Sequence, residues 1–344
     1  MKRTMASMRT LLLALILVLA LGTLVACNDS DTPEATTGTE TTASADPITI
    51  GIIQIVEHPA LDAAREGFIA GMADAGFIDG ENVIFDYQNA QGDHNTLSTI
   101  ADRFVSRDVD MVLAIATPSA QAIAARTTTI PILGTAITSY ERAELVYSNE
   151  EPGGNITGTT DMNPVADQLQ LMVNLVPDVQ TVGLIYSSQE ANSVYQIEIA
   201  KKALEEMGLD YEERTVENTN EVQQAMASLV RSVDAIYIPT DNVLASAMAI
   251  VGDVANTAGV PTICGEANMV NSGGFATMGI DYYELGRKTA EMAVRVLNGA
   301  DPGTMPIETV AGEQVTINEE SLQLLGLTVP ERYQGYIVAV EPAE

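Results

Sequence analysis

The feature that most constrains this chain is a repeat. Residues 48 to 55, Ile-Thr-Ile-Gly-Ile-Ile-Gln-Ile, form a short, β-branched and nearly continuous apolar run, the pattern of a strand buried on both faces. A helical pattern follows from Leu61 to Ala75 and is closed by Gly76. A strand from Asn82 to Tyr87, a helix from about Thr96 to Arg107 and a strand from Asp110 to Ala116 complete a β-α-β-α-β series. The series recurs from Thr181: a strand to Tyr186, a helix to Met207-Gly208, a strand to Val216, a helix from about Asn220 to Arg231 and a strand from Asp234 to Ile238.

Two copies of one doubly wound half imply two similar lobes, each a parallel sheet covered by helices on both faces, with right-handed crossovers. A single closed barrel is the alternative; the punctuation Pro152-Gly153-Gly154-Asn155 between the copies favours a lobe boundary. Past the second copy, Pro261 to Gly265 and Gly274 to Gly279 read as strands and Tyr282 to Leu297 as a helix ended by Asn298-Gly299. Residues 305 to 317 read as extended chain and 319 to 325 as a short helix. The chain is therefore expected to cross between the lobes more than once. The expected division is 47–158 with about 272–310 in the first lobe, and 159–271 with about 311–344 in the second.

The N-terminus sets the expected compartment. Lys2, Arg3 and Arg9 precede the apolar run Leu11 to Leu21 and then Leu24-Val25-Ala26-Cys27, the layout of a secretion signal with a lipoprotein cleavage box. An apolar core this short is below the roughly 20 residues needed to span a bilayer, so residues 1–26 read as a removable signal peptide. Cys27 then becomes the lipid-modified first residue, and the polar residues 27–46 a flexible tether. The chain is thus expected to be extracytoplasmic and lipid-anchored to the cell membrane. Only Cys264 remains as a thiol, so no intramolecular disulfide is available. With 47 acidic against 16 basic residues and no basic cluster, a nucleic-acid partner is excluded and the acid is read as a solvated surface.

In open parallel α/β sheets ligands bind beyond the carboxyl ends of the strands, where helix N-termini leave unpaired N–H groups. The residues just after each strand therefore form the candidate ligand site. The first copy supplies Glu57 and His58; Thr117, Pro118 and Ser119; and Thr135 and Ser139 after a strand around Ile130 to Gly134. From the second come Ser187, Ser188, Glu190, Asn192 and Ser193, then Thr240, Asp241 and Asn242, with Glu266 and Asp281 completing the ring. Helix N-termini at Thr117–Ser119 and Ser188–Ser193 suit a carboxylate, and Asp241 and Glu266 an ammonium, so an α-amino acid fits; a sugar or nucleoside is the alternative ligand. Ser119 and Ser188 also fit as plain N-caps, and Asp281 with Glu284 forms a capping-box pattern. His94 lies in a polar loop. No phosphate loop, zinc-protease motif or nucleophile elbow occurs, and two histidines leave only His58 for acid–base chemistry, so the chain is read as a non-enzyme without cofactor or metal.

Five stretches in order carry a family resemblance: Gln54-Ile-Val-Glu-His-Pro-Ala-Leu-Asp62, Ala116-Thr-Pro-Ser-Ala120, Pro152-Gly-Gly-Asn-Ile-Thr-Gly158, Ile238-Pro-Thr-Asp-Asn242 and Gly279-Ile-Asp-Tyr-Tyr-Glu-Leu-Gly286. They resemble the ABC-transporter substrate-binding lipoproteins that include tryptophan-type, aromatic amino-acid binders. The resemblance covers Ile48 to about Gly312 and departs at Thr138-Ser139-Tyr140-Glu141, where relatives often carry an Asp-Pro pair. It implies a type 1 periplasmic-binding fold with a hinge of three crossovers and a ligand enclosed between lobes. An aromatic or large apolar amino acid is the ligand it implies. The expected partners are that ligand, an ABC permease and its ATPase, with the chain itself a monomer. A ligand-binding module for a signalling partner shares the same features.

Overall fold

A computed structural model describes residues 46–311 and 314–340. Its first elements are β1 Ile48–Gln54, α1 Pro59–Asp74, β2 Val83–Asn89, α2 His94–Ser106, β3 Met111–Ile115, α3 Thr117–Ala124, β4 Ile132–Ile137 and β5 Ile156–Thr160. There follow α4 Val165–Leu175, β6 Thr181–Ser187, α5 Ala191–Met207, β7 Asp210–Val216, α6 Thr219–Leu229 and β8 Ala235–Ile238. The remainder is α7 Asn242–Ser246, α8 Met248–Ala258, β9 Thr262–Cys264, α9 Ala267–Asn271, β10 Ala276–Gly279, α10 Tyr282–Leu297, β11 Gln314–Asn318, α11 Glu319–Leu325 and β12 Ile337–Val338.

The strands form two sheets. One has five parallel strands in the order β2-β1-β3-β4-β5; the other has seven in the order β12-β11-β10-β9-β8-β6-β7, parallel except where β10 meets β11. The repeat is visible in this order, since β2-β1-β3-β4 of the first sheet answers β7-β6-β8-β9 of the second. Local signals set the helix ends. Pro59 occupies the first turn of α1, where its missing N–H has no helical partner to lose. Asp93 caps α2 by accepting from the backbone N–H groups of Asn95 and Thr96, and Gly208 ends α5 in the left-handed conformation.

Each sheet has its own core. Ile50, Ile52, Phe68, Phe104, Val112 and Leu133 belong to the first, together with Leu285, Met292 and Ala293 from α10, which returns from the far end of the chain. The second sheet carries one core on each face, around Leu184, Tyr237 and Phe275 on one side and Ile236, Ile238 and Leu244 on the other. Helices α1 and α10 meet at glycines: a Cβ on Gly67 would stand 2.0 Å from Tyr283 O, and one on Gly286 2.0 Å from Ala64 O.

The chain crosses between the sheets three times: after β5, after β10, and between residues 309 and 314. Residues 303–308 run beside the first sheet, with Thr160 N donating to Glu308 O at 2.8 Å and Ile307 N to Asn149 O at 2.7 Å. Two expected boundaries therefore move. The first crossing comes after Thr160 and not at Pro152–Asn155 or after residue 158, because β5 pairs with β4 in the first sheet. The second crossing comes after Gly279 and not near residue 272, because β10 is bonded on both sides within the second sheet, to β9 and β11. Among the described residues no helix is long and apolar enough to cross a membrane. The signal segment, Cys27 and most of the tether lie outside the described residues.

Candidate functional site

The carboxyl ends of the two sheets face each other across a cavity. Lobe 1 contributes His58, Ala60, Leu61, Ala136 and Thr138; lobe 2 contributes Asn192, Thr240, Asp241, Asn242, Ala245, Glu266 and Met269; the crossovers add Asp161 and Tyr282.

Helix starts position most of the polar groups. His58 is the residue before Pro59, in an extended conformation that carries its ring across to lobe 2. Asp241 accepts from Leu244 N at 2.9 Å, capping α7, and from Ser187 N at 2.6 Å. Glu266 caps α9 through Asn268 N and Met269 N. Asp161 accepts from Tyr282 OH at 2.6 Å and Thr138 Oγ1 at 3.1 Å, tying one crossover to another and to the end of β4.

The lobes touch directly. His58 Nε2 lies 3.2 Å from Asn242 Oδ1, and Thr138 Oγ1 3.2 Å from Thr240 Oγ1. At the rim Arg142 pairs with Glu198 at 2.8 Å and lies 5.0 Å from the ring centre of Tyr195. This is a closed arrangement.

Four carboxylates, Asp161, Glu190, Asp241 and Glu266, are each no more than 3% exposed in or against this cavity, and no Lys or Arg lines it. Burial pushes all four carboxyl groups upward, Glu266 to about 7 and Glu190, also facing the Asp241 charge, to about 8. Burial also pushes His58 down, to about 4, so its ring is neutral.

The backbone is strained at the carboxyl ends of β3 and β4. Ala116, just past β3, has φ 75° and ψ 156°, a region populated almost only by glycine, and Ala136 in β4 has φ 56°. Conformations of this kind cost about 1–3 kcal/mol each and cluster at ligand sites. Ala116 is the N-cap residue of α3 and provides no side-chain cap, while the hydroxyls of Thr117 and Ser119 are buried without partners.

Of the residues expected at the site, His58, Asn192, Thr240, Asp241, Asn242 and Glu266 line the cavity. Glu190 stands behind them, accepting from Asn242 and Asn192, and Ser187 and Ser193 hold Asp241. Thr117, Pro118 and Ser119 are buried at the start of α3. The others lie elsewhere. Glu57 is exposed and accepts from Tyr87 OH, Ser188 is exposed, and Asp281 is an exposed cap that accepts from Tyr283 N and Glu284 N. Ser139 accepts from Arg142 N, and Thr135 is internal to β4. Thr135 was expected beyond the strand end, but β4 runs on to Ile137 through an irregular step, so Thr138 reaches the cavity instead. Asp161 was missed because β5, Ile-Thr-Gly-Thr-Thr, directly follows a turn sequence and has little apolar signal. Had it been read as a strand, the strand-end rule would have found Asp161.

A family model described as ABC transporter substrate binding protein matches residues 49–340. The "Tyrosine-binding protein" of Clostridioides difficile strain R20291 is 41% identical over 310 residues, 90% of each chain. A Streptococcus domain solved in complex with L-Trp is 36% identical and superposes with a TM-score of 0.82 over 85% of this chain and 100% of that one. A ligand-free, open structure of a substrate binding protein with adhesive properties from Clostridium difficile is 41% identical, with a TM-score of 0.66 over 86% of this chain and 100% of that one. The better superposition on the tryptophan complex, despite its lower identity, agrees with the lobes being drawn together here.

Proposed function

The chain belongs to the family of ABC transporter substrate-binding proteins, with the type 1 periplasmic-binding fold, and from that premise we propose that its closed cleft holds an α-amino acid with an aromatic side chain. The observation that carries this reading is the acid-rich wall: four buried carboxyl groups, all held toward their protonated forms by burial, stand in or against a site with no Lys or Arg among its lining residues. Removing carboxylates from water is expensive unless a partner charge comes with them. A ligand ammonium supplies that charge, whereas a sugar or a nucleoside does not. The ligand carboxylate is assigned to the start of α3, where uncapped N–H groups and the unpartnered Thr117 and Ser119 hydroxyls favour an anion. Ala60, Leu61, Ala245, Met269 and the ring of Tyr282 offer the apolar wall for a side chain. The tyrosine-binding relative and the tryptophan-bound neighbour support an aromatic one.

As a substrate-binding protein of an ABC transporter the chain acts outside the cytoplasm, and we infer that it is a monomer held at the membrane by lipid on Cys27, delivering its ligand to a permease and its ATPase. Cys27→Ser should then move the protein from the membrane to the soluble fraction; equal membrane retention refutes the anchor. Calorimetry against the twenty amino acids, common sugars and nucleosides tests the ligand. Tight binding of tyrosine, tryptophan or phenylalanine is expected, and tight binding of a sugar with none of any amino acid overturns the reading.

A further inference from the structure

Two polar atoms of the cavity wall, one from each lobe, have no partner: His58 Nδ1 and Asn192 Oδ1, on residues that are both 6% exposed. Their hydrogen-bonding character follows from the groups behind them. Glu190 Oε2 lies 2.6 Å from Asn242 Nδ2, 3.2 Å from Asn242 N and 3.2 Å from Asn192 Nδ2. One oxygen facing three N–H donors is an acceptor, and any proton on Glu190 sits on Oε1. Both asparagine amides are thereby oriented with NH₂ toward Glu190 and the carbonyl oxygen away from it. Asn192 Nδ2 also donates to Thr240 O at 2.8 Å, which fixes the same orientation.

The consequence reaches the histidine. Asn242 Oδ1 must face His58 Nε2, 3.2 Å away, so Nε2 carries the ring proton and Nδ1 is left as a bare acceptor. Asn192 Oδ1 is likewise a bare acceptor. The cavity therefore presents two neutral acceptors, one per lobe, beside the buried carboxylates of Glu190 and Asp241. A phenol or indole donor needs only one acceptor and no charge. An ammonium offers three N–H groups and the cation that this corner lacks.

We propose that His58 Nδ1 and Asn192 Oδ1 form the ammonium subsite of the cleft, gripping the ligand's amino group from opposite lobes, with Glu190 and Asn242 as positioning residues that lock the histidine tautomer. The proposal rests on the amino-acid reading above and adds what reads the amino group. His58 then discriminates an α-amino acid from its deaminated analogue and couples recognition to closure, because the two acceptors stand on different lobes.

The test uses the full chain with ¹⁵N-labelled histidine, whose two histidines, His58 and His94, give separate resonances. In the tyrosine-bound form His58 should show a protonated Nε2 and an unprotonated Nδ1. Saturating L-tyrosine should shift Nδ1 in the direction of an accepted hydrogen bond, L-phenylalanine should do the same, and millimolar 3-(4-hydroxyphenyl)propionate should not. A proton on Nδ1 in the tyrosine-bound form overturns the proposal. So does a shift that the deaminated analogue reproduces, or one seen with tyrosine and absent with bound phenylalanine. His58→Gln keeps a donor for Asn242 and removes the Nδ1 acceptor, so it should weaken tyrosine binding about 10- to 100-fold. A loss below twofold in a variant that melts with the wild type also overturns it. Should His58→Gln not fold, Asn192→Ala takes its place with the same expectation. If the wild-type chain binds no aromatic amino acid, the ligand reading itself fails, an outcome recognisable before any variant is made.

Discussion

Replacing Gly286 by alanine tests the packing that holds the first lobe together. The added Cβ would stand 2.0 Å from Ala64 O, 2.8 Å from Ala64 C and 2.9 Å from Phe68 N. All three are backbone atoms of α1, so no side chain can swing away. Restoring normal contact requires the two helices to part by roughly 1–1.5 Å. That separation loosens Leu285, Ala290 and Met292, which are fully buried, and shifts Tyr282 at the head of α10 relative to Asp161. Overpacking of a core costs about 1–3 kcal/mol, and a clash between two backbones belongs at the upper end. For a lobe of this size, about 3 kcal/mol corresponds to a fall of roughly 6–12 °C in Tm. Scanning calorimetry of the ligand-free chain, following the transition of the first lobe, reads it out. Gly154→Ala is the control: its Cβ meets nothing within 4 Å and its φ is not positive, so the change should be neutral or slightly stabilising. If Gly286→Ala melts within 1 °C of the control, the close approach of α1 and α10 is refuted.

Three further outcomes are expected. Glu190 and Glu266 are held up to about 8 and about 7, against an ordinary 4.5, so the folded chain keeps protons that the unfolded chain has already released in that window. Ligand-free stability should therefore fall as pH rises from about 5 to 8, and Glu190→Gln should flatten that fall; thermal melts across the range that show the opposite slope refute the assignment. Arg142→Ala removes an interlobe pair whose side chains are 53% and 56% exposed, so ligand affinity by calorimetry should change less than about fivefold and the difference should fade in high salt. Tyr282→Phe deprives Asp161 of its shortest donor inside the core, and should lower stability by about 1–3 kcal/mol in denaturant titrations; an unchanged midpoint argues that the bond is not formed.

The parallel strands were legible because burial on both faces writes itself as continuous apolar runs, as in Met111–Ile115 and Ala235–Ile238. The repeat gave the lobes for the same reason. What sequence pattern missed was edge structure: β5, at the end of its sheet, is rich in threonine and needs less apolar side chain, and the turn residues before it read as a boundary. Asp161 was lost with it. The strand-end rule put His58, Asn192, Thr240, Asp241, Asn242 and Glu266 on the cavity wall, because helix starts lie where strands stop. It could not separate residues that face inward from Glu57, Ser188 and Asp281, which share the same positions and point to solvent. Spacing along the chain does not encode which side of a turn is covered by the other lobe.

The return of α10 to the first lobe also bears on how the chain reaches its native state. Arg287 donates to Asp74 across 213 positions, so the cover over α1 arrives only after β6 to β10 of the second lobe have been made. Until then the face of α1 bearing Ala64 and Phe68 has no partner, and closing so long a loop is slow compared with local strand pairing. The second lobe has most of its contacts within one continuous stretch and can mature first. A chain synthesised from its N-terminus therefore carries its first lobe uncovered while most of the second is made, and in that interval the half-built first lobe is a surface exposed to chaperones and proteases.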